Sequence, residues 1–149
     1  METVNVSLVS LLKDIEFFDD FSQEETAALI GTAQWTKTRP GDQIITEGEL
    51  DLFMYVLLQG QVDVVLKEKV LSTLTSGDTF GEFGLMGGRR TAHVFARTEC
   101  LLLKFSAEQL NRMSTPLQIK FLKKILFTLF ARLQKVNRRV WWELPAQWR

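Results

Sequence analysis

Between Gly77 and Ala92 the chain reads GDTFGEFGLMGGRRTA, a stretch that gathers five of the nine glycines around one carboxylate, Glu82, and two guanidinium groups, Arg89 and Arg90. Glycine lets a backbone approach a ligand closely and lets neighbouring N–H groups converge. Converged N–H groups bind anions such as phosphate, and an arginine at their edge can grip two oxygens at once. A carboxylate repels phosphate but accepts hydrogen bonds from sugar hydroxyls. The combination therefore suits a ligand with both a phosphate and a ribose. The competing reading is a loop with a surface ion pair, and composition alone divides evenly between the two. Neither GxxxxGK[ST] nor a GxGxxG between a strand and a helix occurs, and the surroundings read as all-β.

Little else in the chain carries chemistry. There is one histidine, His93, and one cysteine, Cys100, so no internal disulfide and no zinc site can be built. Cys100 lies in an apolar run and reads as a buried, inert thiol. With no nucleophile–base pair, no enzyme, metal or cofactor is expected. A β-roll enzyme of the cupin kind would need two or three clustered histidines. The 149 residues carry 18 basic and 18 acidic side chains, so net charge is +0, which argues against general nucleic-acid binding. No signal peptide, no transmembrane run and the cysteine usage together predict a cytoplasmic protein.

The elements that must position the stretch follow from periodicity. Residues 7–18 and the following FSQEETAALIGTAQ predict two short helices, the second opened by a capping box of Ser22 and Glu25. From Trp35 the pattern shortens to β-rich runs: IITEG, FMYVLLQGQVDVVL with Gly60 as a hairpin turn, VLSTLTSGDTF, TAHVFA and ECLLLKF. PGD at 40–42 and SGD at 76–78 are turn signals. About eight short strands predict a jelly roll. Ser106 and Gln109 predict a second capping box, and Ser114–Pro116 opens a long helix to about Trp142. Along it Ile119, Leu122, Leu126, Leu129, Leu133, Val136 and Val140 alternate by three and four, a seam that predicts a homodimer through this helix. Lys120, Lys123, Lys124, Arg132, Lys135, Arg138 and Arg139 read as its solvated face, the alternative being a contact with a membrane or a protein effector.

RPGDQIITEGELDLFMYVLLQGQVDVV followed by SGDTFGEFGLMGGRRTAHVFA resembles the cyclic nucleotide-binding domain found in catabolite activator protein, protein kinase A regulatory subunits and cyclic nucleotide-gated channels. The resemblance covers about residues 12–140 and is most specific in PGD..I..EG, Gly60, GD.FGE and RRTA. It implies a mainly β fold with flanking α-helices: an eight-stranded β-roll with short N-terminal helices and a long C-terminal helix. The whole chain, 1–149, is then one domain, with helices over 1–34, the roll over 35–105, its phosphate-binding cassette at 77–92, and helices over 106–149.

By position, the resemblance gives Glu82 the ribose 2′-hydroxyl and Arg90 the cyclic phosphate. Gly81, Phe83 and Gly84 bring backbone N–H groups to both, and Thr91 touches the phosphate or the base. The RTA alignment favours Arg90 over Arg89, which becomes a surface or cap residue. His93 faces the pocket or is a plain strand residue. Trp141 and Trp142 stack on the purine or pack structurally. Glu82 and Arg90 are eight positions apart, about one residue shorter than the family's usual spacing, with Gly87 and Gly88 placed to absorb the difference. The function implied is a regulatory module for cAMP before cGMP, whose ligand repositions the C-terminal helix. The alternative is a degenerate copy that binds no nucleotide and serves as a scaffold. A DNA-binding role would need a helix-turn-helix after the long helix, where only ELPAQWR follows.

Overall fold

The computed structural model describes residues 9–148 apart from residue 11, and residues 7, 8 and 11 of the expected first helix lie outside them. The chain divides into two compact units, Met1–Ser114 and Thr115–Arg149.

In the first unit, residues 9–10 and 12–13 are helical and a 3-10 turn follows at Glu16–Phe18. Helix α1, Gln23–Thr32, starts at the expected capping box. The Ser22 hydroxyl accepts from the Glu25 N–H at 3.1 Å, and Glu25 Oε1 accepts from the Ser22 N–H at 2.9 Å. Two otherwise orphaned N–H groups of the first turn are thereby satisfied.

Eight strands follow: β1 Gln34–Thr38, β2 Gln43–Ile45, β3 Phe53–Gln59, β4 Gln61–Leu66, β5 Lys69–Thr75, β6 Thr79–Phe80, β7 His93–Ala96 and β8 Cys100–Ser106. They form two four-stranded sheets, ordered β1-β8-β3-β6 and β2-β7-β4-β5, with antiparallel pairing throughout. Inward residues of both sheets meet in one core: Ile45, Tyr55, Leu57, Val62, Phe80, Val94, Ala96, Cys100 and Leu102. The alternation is plain in β7, where Val94 and Ala96 are buried while His93 and Phe95 are half-buried on the other face. On β3 and β8 both faces are buried, which explains the unbroken apolar run at Met54–Leu58. Cys100 belongs to the core, and Gly60 turns β3 into β4 with φ +97°.

The PGD and SGD turns close alike. Asp42 Oδ2 accepts from the Arg39 N–H and Asp78 Oδ2 from the Thr75 N–H, each at 2.8 Å. Helix α2, Ala107–Arg112, begins at the second expected capping box, between Ser106 and Gln109.

The second unit is helix α3, Thr115–Glu143, followed by a 3-10 turn at Ala146–Trp148. Pro116 sits in its first turn, where a missing N–H costs nothing. Ile119, Leu122, Leu126, Leu133, Val136 and Val140 of the seam are exposed, as are Trp141 and Trp142. No helix among the described residues is long and apolar enough to cross a membrane.

Candidate functional site

The cassette lies between β6 and β7. The chain leaves Phe80 through Gly81, in the left-handed region at φ +75°, makes a 3-10 turn over Glu82–Met86, and exits at Gly87, again left-handed at φ +78°. The Gly84 N–H donates to Gly81 O, the Gly87 N–H to Gly84 O and the Gly88 N–H to Phe83 O, each at 3.1 Å. Gly87 and Gly88 thus fold the turn back within the short spacing from Glu82 to Arg90. The turn packs directly on the chain entering β3. A Cβ on Gly84 would stand 2.2 Å from Asp51 O, 2.8 Å from Phe53 O and 2.9 Å from Arg90 Nη1. Only hydrogen fits there, so glycine is what lets the cassette backbone reach Asp51 and Arg90.

Two charged side chains are buried in this small volume, Glu82 and Arg90, 7% and 6% exposed. Burial of unpaired charge is costly, so each must be held by bonds. Glu82 Oε1 accepts from the Thr79 hydroxyl at 2.6 Å. Arg90 donates from Nη1 to Gly81 O at 2.7 Å and from Nη2 to Phe53 O at 2.5 Å. Its Nη2 also stands 3.1 Å from Asp51 Oδ2. The guanidinium is therefore fixed in orientation by three elements: the cassette, β3 and the loop before β3. Its Nε–H is buried and has no hydrogen-bond partner among the described residues. A buried donor left over on a fixed guanidinium suits an anion.

Tyr55 closes the inner side. Its ring stacks on Phe80, with centroids 5.0 Å apart and planes 9° from parallel. Burial, assisted by the charge of Asp51 and opposed by that of Arg90, pushes its hydroxyl pKa up to about 12. Tyr55 accordingly stays a neutral wall beside the charges.

The backbone of Arg90 is gripped as firmly as its side chain. Its N–H donates to Glu49 O at 2.9 Å and its C=O accepts from the Gly48 N–H at 2.8 Å. The other predicted residues fall in different places. Arg89 points outward and donates to Gly48 O at 3.1 Å. Phe83 and Thr91 are exposed. The amide of Gly84 is engaged within the 3-10 turn, as above. His93 lies on the face of β7 opposite Val94 and Ala96, where its Nδ1 accepts from the Glu47 N–H at 3.1 Å. The structure thus brings Gly81, Glu82, Gly84 and Arg90 together and sets Arg89 and His93 behind the turn at residues 46–49.

Sequence reasoning missed Asp51, Thr79 and Tyr55. Thr79 was within reach, three residues before Glu82 beside a glycine. Asp51 carried no local signal, because only the pairing of β3 with β6 brings it to Arg90.

Comparison with known families matches residues 35–115 to the cyclic nucleotide-binding domain. The chain belongs to this family. The potassium/sodium hyperpolarization-activated cyclic nucleotide-gated channel 1 of Homo sapiens is 33% identical over 113 residues, which are 75% of this chain and 13% of the channel. The chain thus spans about an eighth of the length of that curated relative. Among solved structures, a cyclic nucleotide-binding domain from Methylobacillus flagellatus superposes with a TM-score of 0.81 at 22% identity, covering 97% of this chain and 86% of that one. A cAMP-bound PfPKA-R superposes at 0.74 and 22% identity, covering 95% of this chain and 48% of that one. These last two establish the fold: eight strands in two antiparallel sheets, short N-terminal helices and a long C-terminal helix.

Proposed function

We propose that this chain is a regulatory module that binds a cyclic nucleotide, cAMP before cGMP, and catalyses no reaction. The observation that carries the reading is Arg90: buried, fixed by Gly81, Phe53 and Asp51, and holding one unpartnered donor beside buried Glu82. In this reading Arg90 pairs with the cyclic phosphate, and Asp51 and the two carbonyls hold its fork in place. Glu82, oriented by Thr79, accepts from the ribose 2′-hydroxyl. Thr91 touches the phosphate or the base. The order cAMP before cGMP is supported by the cAMP-bound fold neighbour.

Ligand would shift the C-terminal helical unit between two positions, which requires only that the two positions differ in affinity for it. The exposed seam from Ile119 to Val140 supports a homodimer through α3, in a cytoplasmic setting.

Isothermal titration of the unfolded and refolded chain with cAMP and with cGMP tests the reading. Binding with a dissociation constant of about micromolar or below is expected, and the ratio of the two constants fixes the purine. Absence of heat and of any melting shift with both ligands would leave the fold as a scaffold that binds no nucleotide. Light scattering on the same preparation should give the mass of a dimer, and a monomer mass would remove the seam from the account.

A further inference from the structure

Four of the eight backbone polar groups of the turn Thr46–Glu49 bond residues 89–93. Within itself the Glu49 N–H donates to Thr46 O at 3.2 Å. The Gly48 N–H and the Glu49 carbonyl bond the two backbone groups of Arg90, and Gly48 O accepts from Arg89. The amide of Glu47 donates to His93 Nδ1 at 3.1 Å, and the Gln43 side-chain amide lies 3.1 Å from the same nitrogen.

A backbone N–H can only donate. His93 Nδ1 must therefore carry a lone pair, and the ring proton of the neutral imidazole resides on Nε2. That nitrogen stands 3.8 Å from Glu47 Oε2. An imidazolium has donors on both nitrogens. A proton on Nδ1 would set two donors face to face and open the bond to the Glu47 amide, while Nε2 keeps its carboxylate. Protonation would thus move the grip of His93 from the backbone of Glu47 to its side chain. The groups around the ring are the Glu47 carboxylate from the turn, the Gln43 amide from β2, Val65 opposite on β4, and the Phe95 ring at 6.0 Å on its own strand. Glu47 is the charged one among these. His93 is half-buried, so protons reach it freely.

We propose that His93 is a positioning residue, a proton-sensitive latch that holds the turn against Arg90 and so makes nucleotide affinity fall in mild acid. The proposal rests on the nucleotide-binding reading and deepens it with a regulation of the same site. His93 touches no nucleotide in it. Its effect passes through the Glu47, Gly48 and Glu49 backbone to Arg90.

Asparagine provides the test, because its Oδ1 sits as many bonds from the backbone as Nδ1, accepts a hydrogen bond and does not titrate. The full chain, His93→Asn and His93→Phe would be titrated with cAMP and cGMP at about pH 7.5 and about pH 5.5. The chain itself should weaken about fivefold on acidification, the worth of one ordinary hydrogen bond. His93→Asn should hold its affinity at both values, and His93→Phe should be weakened about fivefold already at the higher one. Parallel acid profiles for the chain and His93→Asn, or unchanged binding by His93→Phe, would overturn the latch. If no variant takes up nucleotide at any pH, the nucleotide reading fails, and the Glu47 amide resonance of the ligand-free chain decides the latch instead. A resonance that shifts with the imidazole proton supports it, and one indifferent to pH overturns it.

Discussion

Two turns of the β unit each place two residues at positive φ, and they do so with different residues. In the cassette these are Gly81 and Gly87, at +75° and +78°. In the two-residue hairpin between β4 and β5 they are Lys67 and Glu68, at +51° and +66°. A primed hairpin turn needs this geometry to match the right-handed strand twist, and a side chain there costs energy because its Cβ crowds the following carbonyl oxygen. Both hairpin residues are exposed. The cassette is crowded as well as twisted, since a Cβ on Gly81 would stand 2.8 Å from Arg90 Nη1. Backbone strain is thus tolerated where water is the neighbour and excluded where a fixed guanidinium is.

The sharpest break of this contrast is Arg90→Leu, which removes the charge around which the cassette is arranged. Nucleotide affinity should fall by more than about 2 kcal/mol, since the buried phosphate loses its charged donors. Arg89→Leu loses one contact from an exposed side chain and should change affinity by less than about 0.5 kcal/mol. Calorimetric titration of both variants decides. An equal loss in the two would move the phosphate ligand one position along the chain.

Crowding and φ can be separated inside the cassette. Gly84→Ala pushes a methyl against the carbonyls of Asp51 and Phe53, backbone atoms that cannot swing aside. It should cost about 2–3 kcal/mol of stability by urea unfolding. Gly87→Ala meets no atom within 4 Å and carries only the left-handed penalty, about 1 kcal/mol. Equal costs would mean that φ, not the approach to Asp51, fixes the glycines.

The same contrast separates what the sequence discloses from what it hides. Capping boxes at Ser22 and Ser106, the Gly60 hairpin and the strands around them are local. Their determinants lie within a few residues, and periodicity or a cap reads them directly. The burial of Arg90 rather than Arg89 needed the RTA resemblance, since two adjacent arginines look alike in composition. Asp51 escaped altogether, and residues 46–48 read as the end of a β-run that in the structure stops at Ile45. Their roles arise from β3 beside β6 and from β2 beside β7, and no spacing along the chain encodes which loop meets which. His93 was legible as a strand residue, but the acceptor role of its Nδ1 depends on a backbone amide of another element.

The smallest effect concerns the hairpin. Lys67 and Glu68 occupy left-handed geometry with their side chains exposed, and the register Leu66↔Lys69 defines the loop between the strands as two residues long. Such loops favour glycine at the second position. Glu68→Gly should relieve about 1–2 kcal/mol of local strain and lose part of it to the greater freedom of the unfolded chain. The net gain expected is about 0.5–1 kcal/mol, a rise in melting temperature of about 1–4 °C for a chain of this size. Nucleotide affinity should not move, because no bond connects this loop to the cassette among the described residues. A lowered melting temperature would mean that the Glu68 side chain contributes something its exposure conceals. A changed affinity would mean that the hairpin and the cassette, opposite in how they carry strain, are coupled after all.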